Sequence, residues 1–259
     1  MIPSHNRAKD RKTLQDVHTP QAIRDRLDAG YQDSYLSDFI YGAIDGAVTT
    51  FAVVAGVAGA GLASYVVIIL GVANLFADGF SMAISNFLGS RADSQLLEKA
   101  RRTELLHIRE FPEGEKEEIR QIFADKGFKN ENLDKAVEII TADADRWIRE
   151  MLHHEWGLQT DPKSPIHAAL ATFIAFVAIG SLPLLPFLWN GITSPYIDLN
   201  HPFAWSAVLT AIGFITTGAL KSRFVEKHPV LEAAETFAVG GTAAALAYLI
   251  GILLQGIAP

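Results

Sequence analysis

Apolar residues divide this 259-residue chain into long stretches free of charge and shorter stretches crowded with it. From Phe39 to Ser90 there is no lysine or arginine, and the only acids are Asp45 and Asp78. One membrane crossing takes roughly 20 apolar residues at about 1.5 Å each. The stretch therefore predicts two crossings, with the run AGVAGAGLAS (55–64) as the turn between them. Three further apolar runs, over about 166–189, 203–220 and 231–254, predict three more. The polar stretch 91–163 reads as helices: one leaving the second span and ending near Arg109, a break at EFPEGE (110–115), one over about 115–126, and others over about 131–156. Pro112 suits a first helical turn, and Gly127 and Gly157 suit helix ends. The expected fold class is all-α: a polytopic membrane protein with five transmembrane helices and a helical insert. Its segments are 1–37 (N-terminal, cytoplasmic), 38–90 (spans one and two), 91–163 (insert) and 164–259 (spans three to five).

Composition agrees: 49% of residues are hydrophobic and the mean hydropathy is +0.20, values of a membrane protein whose charges are clustered. With no cysteine, disulfide frameworks and thiolate metal sites are excluded. The first 37 residues are polar and carry no apolar core followed by a small-residue cleavage site, so no cleaved leader is expected. Segment 1–37 holds 6 basic residues, the insert 13 and the loop KSRFVEKH (221–228) 3, which together are all 22 in the chain. These three lie on one side of a five-span topology. The positive-inside rule makes that side the cytoplasm and puts the C-terminus on the opposite side. A bacterial inner membrane is the expected setting, and no nucleic-acid partner is expected.

A carboxylate inside a span costs several kcal/mol on insertion scales, so Asp45 is a functional candidate. On the second span Asn74, Asp78, Ser81, Met82, Ser85 and Asn86 recur at spacings of three and four, which aligns them along one face. Facing Asp45 and Thr49, that stripe reads as the wall of an ion path. Carboxylate oxygen beside a thioether suits a first-row transition ion better than magnesium or calcium. The competing structural reading is hydrogen bonding between helices brought close by Gly42 and Gly46 in a G-x-x-x-G spacing.

The insert repeats acids and histidines at helical ligand spacing: Glu104 with His107, Glu115 with Glu118, and Met151 with Glu155 around His153 and His154. Each pair shares one helix face, so three short helices can converge on metal. Glu104-Leu-Leu-His107 and Glu150-Met-Leu-His153 also match the Glu-x-x-His spacing of di-iron carboxylate bundles, which makes iron oxidation an enzyme alternative. A membrane-anchored metal sensor without transport is another.

The segments DGAVTTFAVVAGVAGA (45–60) and FADGFSMAISNFLGSRAD (76–93) resemble the signature of the vacuolar iron transporter family. EFPEGEKEEIRQIFADKGF in the insert, AALATFIAFVAIGSLPLLPF in span three and the glycine-alanine run of span five agree with it, and the likeness extends from about Asp38 to the C-terminus. The resemblance implies a non-enzymatic homodimer in the lipid bilayer, with no tightly bound cofactor. It implies export of iron(II) from the cytoplasm by proton antiport, with manganese(II) or another divalent transition metal as a second candidate substrate. It places Asp45 and Met82 on the ion path, and Glu104, Glu115, Glu118, Met151 and Glu155 among the insert's metal ligands. Three positions depart from the family pattern: His107 where a glutamate is expected, Leu152 where a second methionine often stands, and uncharged Asn74 where some relatives carry an acid. Coupling requires a carboxylate that binds either a proton or metal. Asp45 meets that need, and Glu232 and Glu235 at the start of span five are further candidates, although capping a helix N-terminus competes for at least one of them.

Overall fold

The computed structural model describes residues 15–28, 35–193, 199–225 and 227–256. It divides into a short unit up to Ser34 and a large one from Tyr35. The short unit contains helix α1, Pro20–Asp28. Parts of three segments read from sequence, the first 37 residues and the loops at 190–202 and 221–228, lie outside the described residues.

The large unit is helical throughout its regular structure: α2 (Leu36–Gly59), α3 (Ser64–Glu110), α4 (Pro112–Asp125), α5 (Asn130–Thr141), α6 (Ala144–His154), α7 (Pro165–Gly180), α8 (Leu185–Thr193), α9 (Pro202–Val225) and α10 (Pro229–Leu254). Five stretches are long and apolar enough to cross a membrane: Leu36–Gly59, Ser64–Glu110, Pro165–Thr193, Pro202–Ser222 and Pro229–Leu254. The protein is an all-α polytopic membrane protein. Between α2 and α3 the chain reverses at Gly61, whose φ of +68° lies in the left-handed region that glycine tolerates.

The third span, expected over about 166–189, is present over Pro165–Thr193, and its helix is interrupted: α7 stops at Gly180, a 3₁₀ turn occupies Leu182–Leu184, and α8 resumes at Leu185. Pro183 and Pro186 supply no backbone N–H and break the hydrogen-bond ladder. Ser206 on α9 donates to the Pro183 carbonyl at 2.7 Å, giving that acceptor a partner.

α2 lies at the centre of the membrane part, packed along α7 and α10, while α3 packs along α7 and α9 along α10. The α2–α7 approach depends on glycine: a Cβ on Gly42 would sit 2.3 Å from the Thr172 carbonyl oxygen, and one on Gly46 would sit 2.4 Å from that of Phe176. Val54, Val67, Leu75, Phe176 and Leu184 fill the centre. Ile69, Phe76, Phe80, Leu249 and Leu253 point outward, a disposition suited to lipid and not to water.

The insert has its own core. Ile119, Val137, Trp147 and Met151 bury one another across α4, α5 and α6, while Ala100 on α3 meets Ile148 and Leu152 of α6. Asp143 caps α6 by accepting from the Arg146 backbone N–H at 2.8 Å, and Arg101 pairs with Asp145 at 3.1 Å to tie α3 to α6. These contacts fix where the metal-binding candidates point.

Candidate metal centre and intramembrane polar set

α3 is a single 47-residue helix, about 70 Å long at 1.5 Å per residue. Its far end carries Glu104 and His107, one turn apart. At Phe111 (φ −135°, ψ 53°) the helix breaks, and α4 starts at Pro112, bringing Glu115 back against His107. The His107 Nδ1 lies 3.3 Å from Glu115 Oε1. Ligand atoms of Glu104, His107 and Glu115 all fall within 4.8 Å of one another.

The two carboxylates of this cradle are buried, Glu104 completely, while His107 keeps 46% of its side chain exposed. Glu104 Oε1 accepts from the Trp156 indole N–H at 2.8 Å. Its Oε2 and the Oε2 of Glu115 are buried without a hydrogen-bond partner. An unpartnered buried carboxylate oxygen is expensive unless a cation or proton answers it. Glu115 responds by holding its proton: burial first, then the charges of Glu118, Glu104 and Glu155, push its pKa up to about 7, against a smaller opposing effect of His107. Burial first, then the charges of Glu104 and Glu118 and a hydrogen bond to Glu104, also raise Glu155, against a smaller opposing effect of His107. Five of the sequence candidates, Glu104, His107, Glu115, Glu118 and Glu155, thus act on one another in one place. Imidazole nitrogen with several carboxylates is a donor set for first-row divalent ions.

Two further candidates have other contacts. Met151 is fully buried in the insert core beside Ile119 and Trp147. His153 stacks edge-on against His154, with ring centroids 4.6 Å apart. Glu150 contacts Lys126 at 3.2 Å and His154 at 3.4 Å, and the metal-ligand grouping among the described residues includes neither it nor His153.

In the membrane part Asp45 is half-buried, and Asp78 is close enough to act on it electrostatically. Thr49 spends its hydroxyl on the Asp45 backbone carbonyl at 2.9 Å. Met82 is half-buried against the central apolar cluster. The Asn74 amide nitrogen is buried without a partner, as is the hydroxyl of Thr50. Asn86 is a tie between helices: its Nδ2 donates to Thr172 Oγ1 at 2.7 Å and Asp38 Oδ1 at 3.0 Å, joining α3, α7 and α2. Glu232 is 2% exposed and pairs with Lys221 at 2.7 Å and Lys227 at 3.4 Å, while exposed Glu235 reaches Lys221 at 3.5 Å. Lys221 thus cross-ties α9 to α10.

Sequence reasoning passed over Trp156, Thr50 and Asp38. Asp38 pairs with Lys163 at 3.3 Å and lies two turns before Asp45, a spacing of seven that puts both on one helix face. Trp156 had no such signal, since its partner Glu104 is 52 residues away.

A model of the VIT family matches residues 36–252. The chain is 29% identical over 266 residues to a vacuolar iron transporter of Toxoplasma gondii, covering 96% of this chain and 88% of that protein. It is 28% identical over 250 residues to vacuolar iron transporter 1 of Arabidopsis thaliana, covering 95% and 94%. It is also 29% identical over 225 residues to a vacuolar iron transporter of Plasmodium berghei, covering 85% and 82%.

Proposed function

The chain belongs to the VIT family, and on that footing we propose that it moves iron(II) out of the cytoplasm in exchange for protons, with manganese(II) as a second substrate. It acts as a transporter and not as an enzyme. The observation that carries this is the continuity of α3: one unbroken helix bears Asp78 and Met82 within the apolar bundle and Glu104 and His107 at a buried, electron-rich cradle beyond it.

The division of labour follows from the chemistry. The insert carries 13 basic against 17 acidic residues, a net −4, which raises the local concentration of cations. A divalent ion at the cradle answers the unpartnered oxygens of Glu104 and Glu115 and displaces the proton that Glu115 holds near neutrality. Inside the membrane, Asp45 is the group that alternates between proton and metal, with Asp78 beside it and Met82 supplying a soft donor. The clamp of two lysines on Glu232 favours a static role there over proton carriage, and the exposed Glu235 shares one of those lysines. All 22 basic residues fall on one side of the five spans, which supports a cytoplasmic N-terminus and insert. Outward-facing apolar residues on α10, together with the small enclosure that five helices provide, support a homodimer in the bilayer.

Flux in proteoliposomes tests the proposal, with iron(II) supplied anaerobically on one side and a pH dye trapped inside. Wild type is expected to couple metal entry to proton movement, and Asp45→Asn to abolish both. Undiminished coupled flux in Asp45→Asn would remove Asp45 from the path.

A further inference from the structure

Trp156 lies just past the end of α6, its backbone N–H returning to the Met151 carbonyl at 3.3 Å, and Gly157 with φ +64° turns the chain away behind it. Trp156 packs against the buried cluster of Ala100, Ile148 and Leu152 and donates its one indole N–H to Glu104 Oε1, 2.8 Å away. An indole offers a single donor and no acceptor, so it cannot compete for a cation. It can only occupy one oxygen of a carboxylate and leave the other. Glu104 is fully buried and its Oε2 accepts from no amide, hydroxyl or cationic donor among the described residues; the one other group hydrogen-bonded to Glu104 is the carboxyl of Glu155, itself a candidate ligand.

We propose that Trp156 is a positioning residue that fixes how Glu104 binds the ion: with Oε1 held by the indole, Glu104 presents Oε2 alone. This rests on the reading of the cradle as a binding site for the transported metal. A carboxylate restricted to one oxygen suits a small first-row ion with a mixed nitrogen and oxygen shell. It disfavours calcium, which collects six to eight oxygens and often takes carboxylates through both. Trp156 thereby contributes to selectivity without touching the metal.

The test uses the full-length protein in detergent, with Mn²⁺ binding read from the electron paramagnetic resonance of free Mn²⁺ and Ca²⁺ binding read by competition. Trp156→Phe, which keeps a ring and loses the N–H, is expected to weaken Mn²⁺ binding about tenfold, the scale of lost outer-shell partners. It should leave Ca²⁺ binding unchanged or tighter. In a Glu104→Gln background the same replacement is expected to have no further effect, because it acts through Glu104. Trp156→Tyr, also without an indole N–H, serves if the phenylalanine variant does not fold. Equal losses for both ions, unchanged Mn²⁺ binding, or the same tenfold loss with Glu104 already replaced would each overturn the assignment. Wild-type protein that binds no Mn²⁺ would overturn the cradle itself, a result distinct from binding that ignores Trp156.

Discussion

Glu115 makes metal capture pH-dependent in a way that can be worked out beforehand. With its pKa held at about 7 by burial and by Glu118, Glu104 and Glu155, the carboxyl is ionised in about one molecule in eleven at pH 6, half at pH 7 and about ten in eleven at pH 8. A metal ligand must be deprotonated, so this group alone should raise the apparent affinity for Mn²⁺ about tenfold from pH 6 to pH 8, with the curve flattening above pH 7. Glu155, raised by the same surroundings, steepens the acid limb. The metal-free protein shows the opposite linkage. The folded pKa lies above the ordinary 4.5, so the group's contribution to stability is full below about 4.5 and is lost as pH rises through 7. Mn²⁺ titrations of wild type and Glu115→Gln at pH 6, 7 and 8 measure the effect. A wild-type affinity that changes less than twofold, or a glutamine variant with the same pH slope, would refute the reasoning.

The membrane part yields two further expectations. Gly46→Ala drives a methyl group into the backbone of Phe176, which has no soft side chain to yield, and should cost about 3 kcal/mol; Gly241→Ala, with nothing within 4 Å of its Cβ, should be neutral or slightly stabilising. Thermal unfolding in detergent compares the two, and equal midpoints would contradict the α2–α7 contact. Asn86→Ala removes the donor to Thr172 and Asp38 and should cost about 1–3 kcal/mol while sparing flux per folded molecule. Lost flux at full stability would return Asn86 to the ion path.

The five spans were legible because a bilayer imposes a length and an apolar composition that local sequence must meet by itself. The break inside the third was legible in principle, since Pro183 and Pro186 lie within the run, but length dominated the reading. The cradle was half legible. Glu104 with His107 and Glu115 with Glu118 are pairs at helical spacing, and Glu115 follows His107 by only eight positions, so a single break in the chain brings them together. Met151 carries two readings at once: the resemblance implies a ligand, and α6 carries Trp147, Ile148, Met151 and Leu152 at positions i, i+1, i+4 and i+5, the pattern of a core-facing stripe. Trp156 and the interhelical role of Asn86 depend on tertiary contacts that span dozens of residues, and periodicity carries no trace of them.

The helix that joins cradle to membrane also limits how an ion can travel between them. Glu104 stands 22 residues beyond Met82 on α3, about 33 Å along an unbroken helix. No side chain spans that distance, and a continuous helix does not shorten. Direct transfer from cradle ligands to Asp45 is therefore excluded within one chain in this conformation, and an ion must leave the cradle before it reaches the path. That requirement sets a ceiling on useful affinity, because an ion held too tightly would slow its own delivery. Glu115 meets the requirement by its environment: a carboxyl that regains its proton near pH 7 releases metal more readily than one ionised throughout the physiological range. A cradle of fully ionised, solvated carboxylates would lack that release, which is a physical reason to bury Glu115 among other acids.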